Sequence, residues 1–278
     1  MSRLDGTVAR LDGTVAMITG AESGMGAATA TRFAAEGARL VLVGLRADAL
    51  RCIAEELGAI AVPGDAADPE FLDAAVSHAT SQLGRINVLT TCAGQATFGP
   101  GDALAETSDQ RWEEGMRANL RTAMVSARAV LPSLIDGGGS IVMVASIGAI
   151  SSGPESAVYT AAKTGLLGLV RSIAVDYGRC GVRANAVCPG PTRSPMSDGI
   201  VGEYAAARGI SRDEGYTELG AHVPLPGPCE PHEIASACLF LASQDSAGIT
   251  GASLAVDHGQ SALSQAAIPF MVRRVQPR

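Results

Sequence analysis

The fold is decided by Val15-Ala-Met-Ile-Thr-Gly20-Ala-Glu-Ser-Gly24-Met-Gly26, an apolar run that leads into three glycines. The run predicts a buried strand, and residues 27–36 read as a helix. Glycines permit a tight turn and a close backbone approach to a pyrophosphate, whose charge the start of the helix would stabilise. The spacing is G-x-x-x-G-x-G rather than G-x-G-x-x-G, so a turn that serves only packing is the competing interpretation. The stretch predicts a dinucleotide-type strand–turn–helix unit.

Strands and helices continue to alternate along the chain, which predicts an α/β fold. Further strands are expected at 38–43, 59–62, 86–91, 140–145, 182–188 and 253–256. Further helices are expected at 48–57, 69–83, 108–134, 157–177 and 231–242. We therefore expect one domain over residues 10–260.

Three segments stand apart from this rhythm. Residues 3–9 read RLDGTVA and residues 10–16 repeat them, so residues 1–9 are expected to be a flexible extension. Residues 193–229 mix polar residues with apolar anchors and predict a substrate lid, with a loop-rich structural excursion as the alternative. Residues 261–278 form a tail without a clear assignment.

The composition and charge of the 278 residues exclude several classes of protein. The net charge of −7 argues against nucleic-acid binding, which needs a basic surface. No run of about 18 apolar residues and no signal-peptide pattern is present, so a cytoplasmic protein without a membrane partner is expected. The six cysteines lack a C-x-x-C pair and fall mostly in apolar runs, which predicts reduced core thiols and no metal site.

An acid/base site is indicated by Ser146, Tyr159 and Lys163. Tyr159 and Lys163 are four residues apart, so on a helix they share a face, and the positive charge favours the ionised form of the phenol. A chance surface pair is the alternative. Ser146 follows a continuously apolar stretch, and ligands of open α/β sheets bind at such strand ends. Asn119 is flagged because an asparagine inside a helix usually has a hydrogen-bonding reason.

The end of the second strand bears on the choice of cofactor. NAD binding usually requires an acid there for the ribose hydroxyl, whereas NADP requires a cation for the 2′-phosphate. The sequence reads Gly44-Leu45-Arg46, without an acid at the first two positions, so Arg46 favours NADP over NAD. A solvated arginine at a helix start is the competing interpretation. Asp65 at the third strand end could meet an adenine ring or could be a simple turn residue.

Taken together, the chain resembles the short-chain dehydrogenase/reductase family over roughly residues 10–260. The resemblance rests on residues 19–26 (TGAESGMG), 92–94 (CAG), Asn119, Ser146, 159–163 (YTAAK), 189–192 (PGPT), 233–243 (EIASACLFLAS) and 249–251 (ITG). It implies a doubly wound, seven-stranded parallel sheet of the Rossmann type, with order 3-2-1-4-5-6-7, helices on both faces, and assembly as a homotetramer.

The resemblance also implies a role for each residue. Tyr159 would be the general acid/base, Lys163 would assist it and hold the nicotinamide ribose, Ser146 would bind the reacting oxygen, and Asn119 would support a water relay. The residues implied in cofactor binding are Gly20, Ser23, Gly24, Met25, Gly26, Arg46, Asp65, Ala66, Cys92, Ala93, Gly94, Tyr159, Lys163, Pro189, Gly190 and Thr192.

Three features depart from the family pattern, one of which is Gly44-Leu45-Arg46, which matches neither cofactor rule cleanly. Cys92 replaces the asparagine usual before Ala-Gly, which removes a side-chain hydrogen bond, and His258 stands where glycine is common. The implied function is NAD(P)-dependent interconversion of a secondary alcohol and a ketone, on an apolar small molecule. A non-catalytic dinucleotide sensor or scaffold, and a dehydratase or epimerase, are the alternatives.

Overall fold

The structure is a computed structural model that describes residues 9–264 and residue 266, and within them one parallel seven-stranded sheet carries helices on both faces. The strands are β1 (Val15–Thr19), β2 (Arg39–Gly44), β3 (Ile60–Pro63), β4 (Val88–Thr91), β5 (Gly139–Val144), β6 (Val182–Pro189) and β7 (Ser253–Val256). Their order is β3-β2-β1-β4-β5-β6-β7, which confirms the predicted doubly wound α/β fold.

The helices are α1 (Gly24–Ala35), α2 (Ala47–Leu57), α3 (Pro69–Leu83), α4 (Asp109–Met116), α5 (Thr122–Ile135), α6 (Ala157–Tyr177), α7 (Pro195–Arg208), α8 (Arg212–Leu219) and α9 (Pro231–Ala242). The expected extension and tail fall largely outside the described residues, which omit 1–8, 265 and 267–278.

Two hydrophobic cores lie on opposite faces of the sheet. Alternate residues of a strand point to opposite faces, so Val15 and Met17 enter the core beneath α3, α5 and α6. Ala16 and Ile18 enter the core beneath α1, α2 and α9. All five residues of β1 are buried, which explains why its sequence is continuously apolar rather than alternating.

The expected helix at 108–134 is interrupted by a π-helical turn at Arg117–Arg121 between α4 and α5. An i→i+5 turn has no composition signal of its own, so periodicity could not separate it from the flanking α-helices. The turn contains Asn119, whose side chain is buried.

The segment 193–229 is helical rather than loop-rich over much of its length. Ser194 caps α7 with its side chain and Pro195 occupies the first turn, while Ser211 and Glu214 form a capping box on α8. The alternation of strand and helix ends here because three helices, α7, α8 and α9, follow β6 before the next strand, β7.

The cysteines divide between core and surface. Cys188, Cys229 and Cys238 are buried, but Cys52 and Cys180 are exposed, so the prediction of core thiols is wrong for these two. Each of them directly follows an arginine, Arg51 or Arg179, so neither lies inside a continuous apolar run. None of the helices in the described part of the chain combines the length and apolar character needed to cross a membrane.

Candidate active site

A cleft of about 940 Å³ opens at the carboxyl ends of β1, β2, β4, β5 and β6. Parallel strands end at the same edge of a sheet, and the order of the strands reverses direction between β1 and β4. Open α/β sheets bind their ligands at such a reversal, because the connections leave it on opposite faces. The cleft is therefore the candidate site.

Most residues singled out from the sequence line this cleft. They are Gly20, Ser23, Gly24, Met25, Gly26, Asp65, Ala66, Cys92, Ala93, Gly94, Ser146, Tyr159, Pro189, Gly190 and Thr192. Asn119 and Lys163 lie behind Gly94, with 1% and 6% of their surface exposed. The side chain of Arg46 is 57% exposed and stands beside the cleft rather than in its wall.

Ser146 and Tyr159 flank Gly148 on one side of the cleft. A Cβ added to Gly148 would lie 3.2 Å from Tyr159 Cε1 and 3.3 Å from Ser146 Oγ. Ser146 follows β5, and its Oγ accepts a hydrogen bond from the N–H of Gly148 at 3.0 Å. That bond fixes the oxygen and leaves the hydroxyl proton free to be donated into the cleft.

Tyr159 has an aromatic ring and an ammonium as neighbours. The ring of Phe98 stands edge-on at 5.1 Å between centroids, with an interplanar angle of 70°. Lys163 Nζ lies 5.7 Å from the centroid of the Tyr159 ring and donates to the carbonyl of Val144 at 3.3 Å. The two residues share one face of α6, as their spacing predicts.

Asn119 joins the loop after β4 to α4. Its Oδ1 accepts from the N–H of Gln95 at 3.1 Å, and its Nδ2 donates to Thr97 Oγ1 at 3.3 Å and to the carbonyl of Gly115 at 3.2 Å. A Cβ on Gly94 would lie 3.0 Å from Asn119 Oδ1 and 3.3 Å from Lys163 Nζ. The polar ends of Asn119 and Lys163 thus converge on the space that Gly94 leaves open.

The glycine turn is shaped for a diphosphate. Gly20 has φ +67°, and a Cβ there would lie 2.6 Å from the Ala93 nitrogen, while a Cβ on Gly26 would lie 2.0 Å from the Gly20 carbonyl oxygen. These two glycines bring the turn, β4 and α1 together. The start of α1 has no acidic residue in its first turn, and Ser23 makes no side-chain cap, so its N–H groups are available to an anion. The residues present fit a dinucleotide.

Asp65 is already engaged by the protein. Its Oδ1 accepts from the N–H of Ala67 at 2.8 Å, and its Oδ2 forms an ion pair with Arg117. These bonds fix the wall of the cleft after β3.

The thiol of Cys92 points into a protein core while its backbone lines the cleft. Cys92 packs with the core beneath α1 and α9, near Thr29 and Cys238. Burial raises the pKa of Cys92 to about 12, although the nearby Lys163 opposes the shift. A neutral thiol at neutral pH is a packing group, so the departure from asparagine replaces a hydrogen bond with apolar contact.

His258 has φ +54°, a backbone region that favours glycine, as the family pattern does at this position. Its ring lies between the carbonyl of Gly227, 3.1 Å from Nδ1, and the carboxylate of Glu233, 3.0 Å from Nε2. The N–H of Glu230, aided by His258, lowers the pKa of Glu233. His258 therefore joins the end of β7 to the loop after α8 and to the start of α9.

Phe98 and Glu22 are among the residues of the cleft that the sequence did not single out. Phe98 lies in the loop after β4, where a single aromatic carries no spacing signal. Glu22 is inside the glycine turn, and its carboxylate reaches the end of β2, where Oε1 accepts from the N–H of Leu45 at 3.2 Å. An acid among the glycines of the turn is visible in the sequence. Its contact with the end of β2 is not, because that contact depends on how close the turn after β1 lies to the turn after β2.

The far wall of the cleft is formed by the segment 193–229. Met196 and Ile200 of α7 and Tyr216 and Leu219 of α8 line it with apolar surface. The hydroxyl of Tyr216 donates to Asp198 at 3.0 Å, which ties the two helices together.

Comparison with known proteins gives consistent matches over most of the chain. A family model described as enoyl-(acyl carrier protein) reductase matches residues 20–261. Protein MoaE of Klebsiella aerogenes is 40% identical over 230 residues, covering 81% of this chain and 87% of that protein. The 2-(R)-hydroxypropyl-CoM dehydrogenase of Xanthobacter autotrophicus is 33% identical over 203 residues, covering 73% and 78%. The crystal structure of levodione reductase matches with a TM-score of 0.85 at 29% identity, over 92% of this chain and 100% of that one.

Proposed function

Because the chain belongs to the short-chain dehydrogenase/reductase family, an oxidoreductase family, we propose that it interconverts a secondary alcohol and a ketone with NAD(P). One observation carries the proposal: Ser146 and Tyr159 flank Gly148 in the same cleft as the glycine turn, with Lys163 behind the phenol. A proton-transfer group and a dinucleotide cradle in one cleft are what such a reaction requires.

In the proposed mechanism, Ser146 donates a hydrogen bond to the substrate oxygen, whose charge changes during the reaction. Tyr159 takes the hydroxyl proton of the alcohol in oxidation and returns a proton to the carbonyl oxygen in reduction. The ammonium of Lys163, 5.7 Å from the centroid of the Tyr159 ring, brings a positive charge to the proton-transfer site. The nicotinamide, when bound, supplies the hydride acceptor or donor. Asn119 positions the loop after β4 and shares its space with Lys163 behind Gly94.

We further propose that the segment 193–229 acts as a lid within a single domain of residues 10–260, and that the substrate is apolar. The apolar wall of Met196, Ile200 and Leu219 supports this, because Met196 and Leu219 present 44% and 47% of their surface at the cleft side of the segment or to solvent. A homotetramer is the assembly proposed for the chain, since Val175 on α6 is 80% exposed and the outer strand β7 exposes three of its four residues.

Replacing the phenol by a ring without a hydroxyl tests the mechanism. Tyr159→Phe is expected to lower kcat by at least ~100-fold, because it removes the proton-transfer group, while the affinity for a dinucleotide stays within about threefold. Turnover is followed by the absorbance of reduced nicotinamide on a panel of alcohols and ketones, and binding by calorimetry. Tyr177→Phe, at the far end of the same helix, is the matched control.

A Phe variant that retains turnover would refute the role of Tyr159. Dinucleotide binding by the native protein without turnover on any member of the panel would instead favour a sensor or scaffold on the same fold.

A further inference from the structure

The adenosine end of the cleft carries a carboxylate that nothing in the described part of the protein neutralises fully. Glu22 belongs to the glycine turn, and only 12% of its side chain is exposed. Its Oε1 accepts from the N–H of Leu45 at 3.2 Å, while Oε2 is buried and has no hydrogen-bond partner among the described residues. Glu22 lines the cleft, and its carboxylate keeps accepting capacity beyond this one hydrogen bond, so it can accept from a donor on a bound ligand.

Gly44, the last residue of β2, makes room for that carboxylate. A Cβ added there would lie 2.1 Å from Glu22 Oε2 and 2.7 Å from its Cδ, so no larger residue fits while Glu22 keeps its place. Gly44 does not have the positive φ that would require glycine for backbone reasons. Gly44 at the strand end and Glu22 in the turn therefore form one arrangement, in which the glycine leaves the space that the carboxylate fills.

The neighbours of Glu22 identify which part of a dinucleotide would meet it. Glu22, Gly44 and Leu45 line the cleft on its β2 side, and Asp65 and Ala66 after β3 line the adjoining wall. In doubly wound folds the end of the second strand contacts the ribose of the adenosine half, and an acid there accepts from the 2′-hydroxyl.

Arg46 favours NADP. Its side chain is 57% exposed, its Nε lies 4.0 Å from Glu22 Oε1, and its Nη2 donates to the Glu22 carbonyl at 3.5 Å. Such a long and solvated ion pair contributes little, and it leaves Oε2 without a donor. A 2′-phosphate would place a dianion against the carboxylate of Glu22, whereas a 2′-hydroxyl could donate a hydrogen bond to it.

We infer that Glu22 binds the adenosine ribose hydroxyls from the glycine turn and so replaces the acid that NAD-binding proteins usually have at the end of β2. The protein therefore selects NAD over NADP. This inference rests on the proposed function, since it concerns the same cofactor. It reverses the preference that Arg46 suggests in the sequence.

The test compares ADP-ribose with 2′-phospho-ADP-ribose, and NADH with NADPH, by calorimetry on the full chain. The first pair isolates the adenosine end from the chemistry at the nicotinamide. Native protein is expected to bind the ligand without the 2′-phosphate at least ~tenfold more tightly in both pairs. Glu22→Ala should weaken ADP-ribose by about tenfold or more, and Glu22→Gln should strengthen binding of the 2′-phosphorylated ligand by removing the repulsion.

Two further variants separate ligand binding from a structural role. Gly44→Ala should reproduce the loss seen in Glu22→Ala and add little to it in the double variant, because both displace the same carboxylate. Glu55→Gln, on the exposed face of α2, removes the same charge outside the cleft and should leave every affinity unchanged.

Tighter binding of the 2′-phosphorylated ligands by native protein would overturn the inference and leave the proposed function standing. Equal changes in both members of each pair on substitution of Glu22 would also overturn it, because a merely structural role moves both affinities together. Failure of the native protein to bind any of the four ligands would overturn the proposed function, and the inference with it.

Discussion

The ion pair between Asp102 and Arg111 should make the loop before α4 sensitive to a single substitution, Asp102→Asn. Arg111 donates from Nε to Oδ1 and from Nη2 to Oδ2, both at 2.8 Å, and the carboxylate side chain is 4% exposed. The carbonyl of Asp102 also accepts from the N–H of Ala157 at the start of α6. The pair therefore ties the loop that carries Phe98 to both α4 and the helix of Tyr159.

The size of the effect follows from the two charge-assisted bonds. Each hydrogen bond to a charged group contributes about 1.5–3 kcal/mol, and an amide of the same shape can retain only part of one. Arg111 is 38% exposed, so solvent screens part of the gain. We expect Asp102→Asn to lower the free energy of unfolding by about 2–3 kcal/mol at neutral pH.

The pH dependence has a definite sign. Hydrogen bonds from Arg111 hold the pKa of Asp102 below its ordinary value. A carboxyl whose folded pKa lies below its unfolded pKa of about 3.9 stabilises the protein above that value, and the contribution is lost as pH falls through the folded pKa. The difference between native protein and variant should therefore stay constant from neutral pH to about pH 5 and shrink below about pH 4.

Urea denaturation at several pH values measures both quantities, with Asp73→Asn on the exposed face of α3 as the matched control. The control should change the free energy of unfolding by no more than about 0.5 kcal/mol. A change of that small size for Asp102→Asn, or a difference that grows as pH falls, would refute the assignment of the stabilisation to this pair.

Two further substitutions test the packing behind the cleft and the end of α9. Gly94→Ala should lower kcat by about tenfold or more while the protein stays folded, because its Cβ would meet Asn119 Oδ1 at 3.0 Å and Lys163 Nζ at 3.3 Å. Gly168→Ala is the control, because a Cβ there meets no atom within 4 Å. An unchanged kcat for Gly94→Ala would contradict the expected contact with Asn119 and Lys163. Arg183→Met should lower the free energy of unfolding by about 3 kcal/mol, because Arg183 donates to the carbonyls of Leu241 and Ser243 at 2.9 Å. Thermal and urea unfolding measure this change, with the exposed Arg171→Met as the control. A loss for Arg183→Met no larger than that for the control would contradict the prediction.

Local sequence signals were sufficient for most of the secondary structure. The bounds of α3, α6, α9 and β7 agree with those expected from periodicity and from the prolines at the starts of α3 and α9. The other strands differ by at most two residues at either end, which is where hydrogen bonding rather than side-chain pattern sets the limit. The helices at 195–208 and 212–219 were not predicted, although both have sequence signals for a helix start. These signals are Ser194 before Pro195, and the capping box of Ser211 and Glu214.

The spacing of Tyr159 and Lys163, and the place of Ser146 after a buried strand, indicated an acid/base site from the sequence alone. Such signals are readable because neighbours on a helix face, or at a strand end, are determined by the period of one element. The glycine pattern was readable for the same reason, since a turn after β1 needs glycine wherever the backbone packs as closely as at Gly20 and Gly26.

What only the tertiary structure decided is which side chain occupies the end of β2. The sequence offered Gly44 and Arg46 there and no acid, yet the space beside Gly44 is filled by Glu22 from another connection of the sheet. A strand pairing brings residues 22 positions apart in the chain into contact, and no periodicity within either segment encodes that distance. The family, an oxidoreductase family, is thus readable from local pattern, whereas the cofactor preference that we propose depends on how two turns meet.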